Sequence, residues 1–90
     1  MVPDPFYRFL NMRILYFAHA RRAAGCSQED ISITAPMTPT ALWDLLVRCH
    51  PELATLRNVS RFARGEDFLP TDAVLDPADE IALIPPVSGG

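Results

Sequence analysis

The group best able to do chemistry in this chain is the carboxylate at its end. The last six residues are Pro85-Pro86-Val87-Ser88-Gly89-Gly90. The two glycines lack a Cβ, so they form a thin tail that can enter a narrow channel and present its carboxylate to another protein's active site. The two prolines fix φ at successive positions and favour an extended path. We therefore expect residues 85–90 to form a flexible tail on a stiff base.

The terminal carboxylate of Gly90 is ionised at neutral pH, since the pKa of an α-carboxyl group is about 3.3–3.7. In that form it is a poor electrophile. Activation, for instance as an acyl-adenylate, would make it reactive, and attack by a sulfur donor would then give a thiocarboxylate, which is a far better nucleophile. A domain with such a tail and no active site of its own is a carrier rather than a stand-alone enzyme.

Other catalytic and metal-binding patterns are missing from the sequence. The glycines do not have the spacing of a phosphate-binding loop, and no Ser-His-Asp order or nucleophile elbow occurs. The two cysteines, Cys26 and Cys49, are too far apart in sequence to suggest a disulfide framework. Together with His19 and His50 they match no recognisable metal motif, so we expect no metal site.

The composition is that of one globular domain of 90 residues, with 49% hydrophobic and 21% charged residues. A net charge of −3 argues against nucleic-acid binding, and no stretch is apolar enough to span a membrane. Asp4 and Arg8 interrupt the apolar residues of Met1–Asn11, which disfavours a signal peptide. We expect a cytoplasmic protein. All eight basic residues are arginines, so no side chain can accept an isopeptide bond.

Residue spacing predicts a first strand over Met12–Ala18, because this segment is rich in β-branched, aromatic and apolar residues. Arg13, Leu15 and Phe17 share one face of that strand. If Arg13 marks the solvent side, Leu15 and Phe17 form an exposed apolar patch of the kind that marks a partner surface. The alternative is that the domain covers both faces of the strand.

A short helical turn should follow over His19–Ala24 and end at Gly25. Glu29–Thr34 alternates apolar and polar residues, which predicts a half-buried second strand. The short connection favours antiparallel pairing of this strand with the first.

One clear helix is predicted to start at Thr38, a good N-cap, with Pro39 at the first helical position. His50 should lie at its end because Pro51 follows. We expect Trp43 and Val47 to lie at the edge of the buried face. That face is expected to hold Leu42, Leu45, Leu46 and Cys49. Cys49 is therefore interpreted as a small buried hydrophobe and His50 as a helix-end residue rather than a ligand.

The rest of the chain predicts a possible further helical turn, then strands and turns. These segments are Pro51–Leu56, a strand over Val59–Arg64, a turn at Gly65-Glu66, a returning segment over Asp67–Leu69, a turn over Asp76–Asp79 and a last strand over Glu80–Ile84. Asp79-Glu80 is interpreted as part of a solvated turn rather than an acid–base pair. A first and a last strand that lie side by side at the sheet centre would be parallel, with the helix crossing one face. This α+β order predicts a β-grasp arrangement in which the chain's end projects from a central strand.

These segments resemble the small subunit of molybdopterin synthase, a family within the ubiquitin-like ThiS superfamily. The resemblance covers Met12–Gly90 and rests on Met12–Ala18, on Arg21 and Gly25, and on Asp79–Ala82 running into the Pro-Pro-Val-Ser-Gly-Gly ending. The relative that carries sulfur for thiazole synthesis shares Gly-Gly but usually lacks Pro-Pro-Val. The resemblance implies a ubiquitin-like β-grasp domain over residues 12–84, with a mixed sheet of about five strands crossed by one main helix. Residues 1–11 would be an N-terminal extension and 85–90 the tail.

The resemblance also implies a reaction and its partners. An E1-like adenylating enzyme activates the Gly90 carboxylate with ATP, and a sulfur donor of the desulfurase or rhodanese type converts it to a thiocarboxylate. The tail then inserts into the large synthase subunit, where the sulfur attacks cyclic pyranopterin monophosphate to form the molybdopterin dithiolene. Two loaded carriers serve each dithiolene, and the complex is a heterotetramer. The chain itself would bind no cofactor, because the adenylating partner uses the ATP.

By position in the family, Gly90 would hold the transferred sulfur and Gly89 would keep the tail thin. Four residues would position the tail along the partner, namely Pro85, Pro86, Val87 and Ser88. Three residues are expected at the partner interface: Phe17, Arg21 and Ile84.

Two positions depart from the family pattern. Arg22 stands where Glu is common, and Arg64 stands where a hairpin turn commonly has Asn, which tolerates positive φ. Gly65 is expected to take the strained position instead.

Other functions stay open at this point. The chain could carry sulfur for thiamine or tRNA thiolation, or it could be a protein modifier conjugated through Gly90 to lysines of its targets. It could also be a β-grasp interaction module in which the tail plays no part.

Overall fold

The computed structural model describes residues 11–86, which form five strands, two α-helices and one 3₁₀ helix. The strands are β1 (Asn11–Tyr16), β2 (Gln28–Ser32), β3 (Arg61–Arg64), β4 (Asp67–Phe68) and β5 (Glu80–Ile84). The helices are α1 (Ala18–Ala24), α2 (Pro39–Cys49) and the 3₁₀ helix Pro51–Leu56. Most of the predicted extension and the tail positions Val87, Ser88, Gly89 and Gly90 lie outside the described residues.

The five strands form one mixed sheet in the order β2-β1-β5-β3-β4. The first and last strands are its central parallel pair, with Ile14 opposite Ile81 and Leu15 opposite Ala82. The other three pairings are antiparallel. A parallel pair needs a long crossover connection, and the segment between β1 and β5 provides it. The predicted α+β, ubiquitin-like β-grasp arrangement is confirmed.

The core lies between the sheet and α2. Ile14 and Tyr16 of β1 and Ile81 and Leu83 of β5 point to this side and are fully or almost fully buried. The helix contributes Leu42 and Leu46 among others, and Leu53, Phe62 and Leu75 also belong to the cluster. The strand parity predicted from the sequence is therefore confirmed. The face of the sheet that α2 covers is called the helix side below, and the opposite face is called the outer face.

The predicted start of α2 is confirmed, but its buried face is rotated from the predicted one. Thr38 is the N-cap, and its side chain accepts a hydrogen bond from the Ala41 amide at 3.1 Å. The buried residues of the helix are Pro39, Leu42, Trp43 and Leu46. Because these occupy i, i+3, i+4 and i+7, the buried stripe is centred towards Trp43.

Two predictions on α2 are consequently wrong. Trp43 belongs to the core rather than to its edge, because its ring packs on Phe62 with 4.9 Å between ring centroids. Cys49 is exposed rather than buried, because the rotation turns the opposite edge of the predicted stripe towards solvent.

β3 is shorter than predicted. The amides of Val59 and Ser60 both donate to the carbonyl of Leu56, at 3.2 and 3.0 Å, so these residues complete the turn after the 3₁₀ helix. Pairing with the sheet therefore begins at Arg61. Within residues 11–86, no helix has the length and apolarity needed to cross a bilayer.

Tyr16 is the one core residue of β1 with a polar end, and its hydroxyl donates a hydrogen bond to the Glu29 carboxylate. Burial, followed by the hydrogen bond to Glu29 and that carboxylate's charge, raises the pKa of Tyr16 far above its ordinary value of 10.0. The ionised phenolate is disfavoured in the folded chain because it would lose water and face a negative charge.

Alkaline pH should therefore destabilise the fold through Tyr16. Folding raises the pKa above the unfolded value of about 10, so this contribution to stability is complete below that pH and is lost as pH rises above it. We expect the free energy of unfolding of the parent chain to fall by up to about 1.4 kcal/mol more per pH unit than that of Tyr16→Phe above about pH 10. Urea unfolding at several alkaline pH values measures both slopes. Equal slopes for the two proteins would show that Tyr16 ionises freely in the fold.

Candidate functional site

An apolar patch crosses the outer face of the sheet. Leu15 lies opposite Ala82, Ala82 lies opposite Ala63, and Ala63 lies opposite Phe68, so one row of side chains runs across four strands. Phe17 and Ile84 extend this row, and they line a shallow depression together with Leu15, Ala63 and Ala82. The outer patch is defined as Leu15, Phe17, Ala63, Phe68, Ala82 and Ile84.

Phe17 is a large apolar residue of this patch, with 43% of its surface exposed. It is the N-cap of α1, and its amide donates to the Leu83 carbonyl at 3.3 Å. The next residue, Ala18, has a φ of +49°, a left-handed conformation that L-residues rarely adopt. The chain thus makes a sharp, strained turn directly after Phe17. Exposed apolar patches on small domains commonly mark interaction surfaces.

Charged groups border the outer patch. Arg13 pairs with Asp30 at 3.3 Å and with Glu80 at 3.9 Å, and all three side chains are about half exposed. At the opposite edge of the patch, on β3 and β4, the Arg61 guanidinium lies 4.0 Å from the centroid of the Phe68 ring. Exposed pairs of this kind contribute little to stability. Their arrangement gives the patch the polar rim and apolar centre typical of a protein interface.

The tail leaves the domain at the margin of this patch. Ile84 is the last residue of β5, a central strand, and it lies opposite Arg61. Pro85 is buried and Pro86 is exposed, so the chain turns from the interior to the surface between them. The stiff base expected for the tail stays a prediction, since residues 87–90 lie outside the described part of the chain.

The structure brings together two of the three predicted interface residues. Phe17 and Ile84 line the same depression of the outer face. Arg21 lies exposed in the last turn of α1 and is not among the residues that line this depression. Its neighbour Arg22 lines a different groove, together with Glu52, between α1 and the 3₁₀ helix.

The hairpin between β3 and β4 adopts the predicted geometry. Gly65 has a φ of +62°, so it takes the strained turn position next to Arg64. The Arg64 guanidinium donates to the Asp79 carboxylate at 2.8 Å and to the Val74 carbonyl at 3.1 Å. Asp79 also accepts a hydrogen bond from the Asp76 amide at 2.9 Å. Asp79 is therefore a structural turn residue.

A group that the sequence did not reveal lies on the helix side. Cys26, Glu29 and His50 each offer one possible metal-ligand atom, and these atoms all lie within 4.8 Å of one another. His50 is the C-cap of α2, as predicted for a helix-end residue, and its Nε2 also lies 2.6 Å from a Glu29 oxygen. No spacing motif signals the trio, because pairing of β2 with β1 and the end of α2 bring it together.

Comparison with known proteins identifies the family of this chain. The ThiS family matches residues 14–90, which is most of the chain. The chain belongs to the ThiS family. The human molybdopterin synthase sulfur carrier subunit is 38% identical over 83 residues, which cover 89% of this chain and 94% of that one. The Arabidopsis thaliana protein of the same name is 31% identical, with 90% of this chain and 84% of that one covered.

Solved structures agree with this membership. The small archaeal modifier protein 1 of Haloferax volcanii superposes with a TM-score of 0.76 at 26% identity, covering 89% of this chain and 99% of that one. Its counterpart from Methanosarcina acetivorans has a TM-score of 0.72 at 20% identity, with coverages of 89% and 96%. The second likeness concerns the fold alone. ThiS-family membership thus agrees with the β-grasp topology and with a chain that continues beyond β5.

The hairpin geometry predicts that Gly65→Ala destabilises the fold by about 1–2 kcal/mol, because an L-residue is strained in the left-handed region. The added Cβ would meet no atom within 4 Å, so the loss would come from backbone strain and not from a clash. Gly65→Asn should lose less, since Asn tolerates this conformation. Urea unfolding of the three proteins measures the differences. An alanine variant as stable as the parent chain would contradict the strained turn.

Proposed function

We propose that this chain is the sulfur carrier subunit of molybdopterin synthase. The observation that carries the proposal is its 38% identity to the human sulfur carrier subunit, over nearly the whole length of both chains. The plant relative bears the same name. The ThiS-family match extends through residue 90, so it includes the two glycines on which the proposed chemistry depends.

In this proposal the Gly90 carboxylate is the reacting group. An E1-like enzyme joins it to AMP with release of pyrophosphate from ATP. The persulfide of a donor of the desulfurase or rhodanese class then displaces AMP to give an acyl disulfide, and a second thiol reduces this disulfide to release the thiocarboxylate. The thiocarboxylate sulfur then attacks cyclic pyranopterin monophosphate, and two loaded carriers supply the two dithiolene sulfurs. The chain binds no cofactor of its own in this scheme.

The domain's part is to position the tail. The large synthase subunit is the proposed partner, and two copies of each subunit would form a heterotetramer. The outer patch would dock on the large subunit, with Phe17 and Ile84 at the contact and Arg21 near its edge. Pro85 and Pro86 would direct residues 87–90 into the partner's active site. Gly89 would keep the tail narrow, and Val87 and Ser88 would line its path.

We place this reaction in the cytoplasm. Cys26 and Cys49 are free thiols, which agrees with a reducing compartment. The net charge of −3 supports a protein partner rather than nucleic acid.

Genetic rescue tests the proposal. Cells that lack their molybdopterin synthase small subunit would receive the full chain, a version ending at Gly89, or a Cys49→Ser control, which changes an exposed residue outside the tail and the outer patch. We expect the full chain and Cys49→Ser to restore activity of a molybdenum enzyme, and the shortened chain to restore none, because its carboxyl group stops one residue short.

Rescue by the shortened chain to the level of the full chain would contradict transfer from Gly90. If the full chain is folded and present at the level of the missing subunit but restores no activity, it is not a subunit of this synthase.

The outer patch predicts a second result, for binding of the large subunit. Phe17→Glu should weaken the complex at least about tenfold, since a buried aromatic anchor at an interface commonly contributes more than 1.4 kcal/mol. Calorimetric titration of the large subunit with each variant measures the affinity.

Val59→Glu is the matched control. Val59 is 54% exposed, and it is not among the residues of the outer patch. The same charge there should change the affinity less than about twofold. If Phe17→Glu binds as tightly as Val59→Glu, the large subunit docks elsewhere.

A protein-modifier role is the second candidate, because a structure named for that role superposes on this chain with a TM-score of 0.76. A modifier would form an isopeptide bond between Gly90 and lysines of other proteins. Denaturing purification of the tagged chain from cells would then recover covalent adducts. We expect free chain and the thiocarboxylate form only, and abundant adducts would favour the modifier.

A further inference from the structure

We propose that Cys26, Glu29 and His50 form a zinc-binding site that clamps the end of α2 to strand β2. The inference goes beyond the sulfur-carrier function and does not depend on it. Thiolate, imidazole and carboxylate are the three ligand types that Zn²⁺ takes in proteins. Cys26 lies in the bend between α1 and β2, Glu29 lies within β2, and His50 is the C-cap of α2.

The distances fit a small movement onto a metal ion. With metal–ligand lengths of about 2.0–2.3 Å, tetrahedral ligand atoms lie roughly 3.3–3.7 Å apart. The atoms available here all lie within 4.8 Å of one another, and His50 Nε2 is 2.6 Å from a Glu29 oxygen. Small rotations about the side-chain bonds would move each ligand atom by about one ångström and bring it to a ligand position. A water molecule would take the fourth position.

The surroundings of the trio suit a metal site. The side chains of His50 and Glu29 are 20% and 28% exposed, so an ion could enter from solvent and would then be partly shielded. The Tyr16 hydroxyl donates to the Glu29 carboxylate, and its ring packs in a T-shaped arrangement with the His50 ring, with 5.9 Å between centroids. Groups that hold metal ligands in place in this way commonly set metal affinity.

Metal binding requires proton movements that balance. Burial and the nearby Glu29 charge raise the pKa of the Cys26 thiol, so the metal-free chain carries that proton at neutral pH. Zn²⁺ would form a bond to sulfur and release this proton to solvent. With the ring proton on Nδ1, the Nε2 atom of His50 is free to bind the metal.

The site is separate from the outer patch. Glu29 lies opposite Ile14 in the sheet and so points to the helix side, whereas Leu15 and Phe17 belong to the outer patch. A zinc ion there would join α2 to the edge strand without covering the surface proposed for the large subunit.

Titration with Co²⁺ and then Zn²⁺ tests the site in the full chain, which is first freed of metal with a chelator. We expect one equivalent of Co²⁺ to give a thiolate-to-cobalt charge-transfer band and the visible bands of a tetrahedral ion, and one equivalent of Zn²⁺ to remove both. Cys26→Ser, Glu29→Gln and His50→Gln should each weaken binding at least about tenfold, and Tyr16→Phe should weaken it about tenfold through Glu29.

Cys49→Ser and His19→Gln are the matched controls. These substitutions change the other cysteine and the other histidine of the chain, and both residues are exposed. They should bind Co²⁺ within about twofold of the parent chain. Absence of the charge-transfer band in the parent chain, or equal binding by Cys26→Ser and Cys49→Ser, would overturn the proposal.

A second measurement avoids any change at the site, in case the ligand variants fold poorly. In the Cys49→Ser chain, Cys26 is the sole thiol, and Zn²⁺ should slow its alkylation at least about tenfold. An unchanged alkylation rate at saturating Zn²⁺ would equally overturn the site.

Discussion

The parallel pairing of β1 with β5 is the constraint on which the rest of this structure depends. It places the beginning and the end of the domain side by side at the sheet centre, with Ile14 opposite Ile81 and Tyr16 opposite Leu83. The intervening chain must then cross one face, and α2 does so. The chain consequently leaves the sheet from a strand held on both sides, so the base of the tail has a fixed position relative to the outer face.

This pairing also separates the two faces of the sheet chemically. On the helix side, alternate residues of β1 and β5 form the core, and there Tyr16 contacts Glu29 of β2 and His50 at the end of α2. On the outer face, the intervening residues contribute to the outer patch, in which Phe17 is 43% exposed. Stability therefore resides on one face, and the other is free to bind a partner. A carrier needs this division, because its docking surface must be exposed in the free protein.

Much of this arrangement follows from local sequence patterns. The alternation in Glu80–Ile84 predicts its strand and both of its faces, and Thr38-Pro39 predicts the start of α2, because each signal depends on neighbouring residues alone. The rotation of α2 could not be predicted in this way. Leu42 and Leu46 fit both stripes, and only the contact of Trp43 with Phe62 decides that Cys49 faces solvent.

The candidate site likewise has some features that local sequence predicts and others that only tertiary packing creates. The strand parity predicts that Leu15 and Phe17 share a face, but Ala63 and Phe68 join them through pairings between distant strands. The trio of Cys26, Glu29 and His50 depends on tertiary packing as well, because residues separated by a whole helix provide its ligand atoms. Spacing motifs detect sites within one turn or hairpin and cannot detect a site of this kind.

Mass spectrometry of the intact chain tests the central claim most directly. The purified chain would be incubated with the E1-like enzyme, ATP and a sulfur donor, with the human sulfur carrier subunit treated in parallel as the positive control. The account predicts a mass increase equal to the replacement of one oxygen by one sulfur, located by fragmentation at Gly90. Loading of the human subunit, with no mass change in this chain under the same conditions, would contradict the sulfur-carrier function.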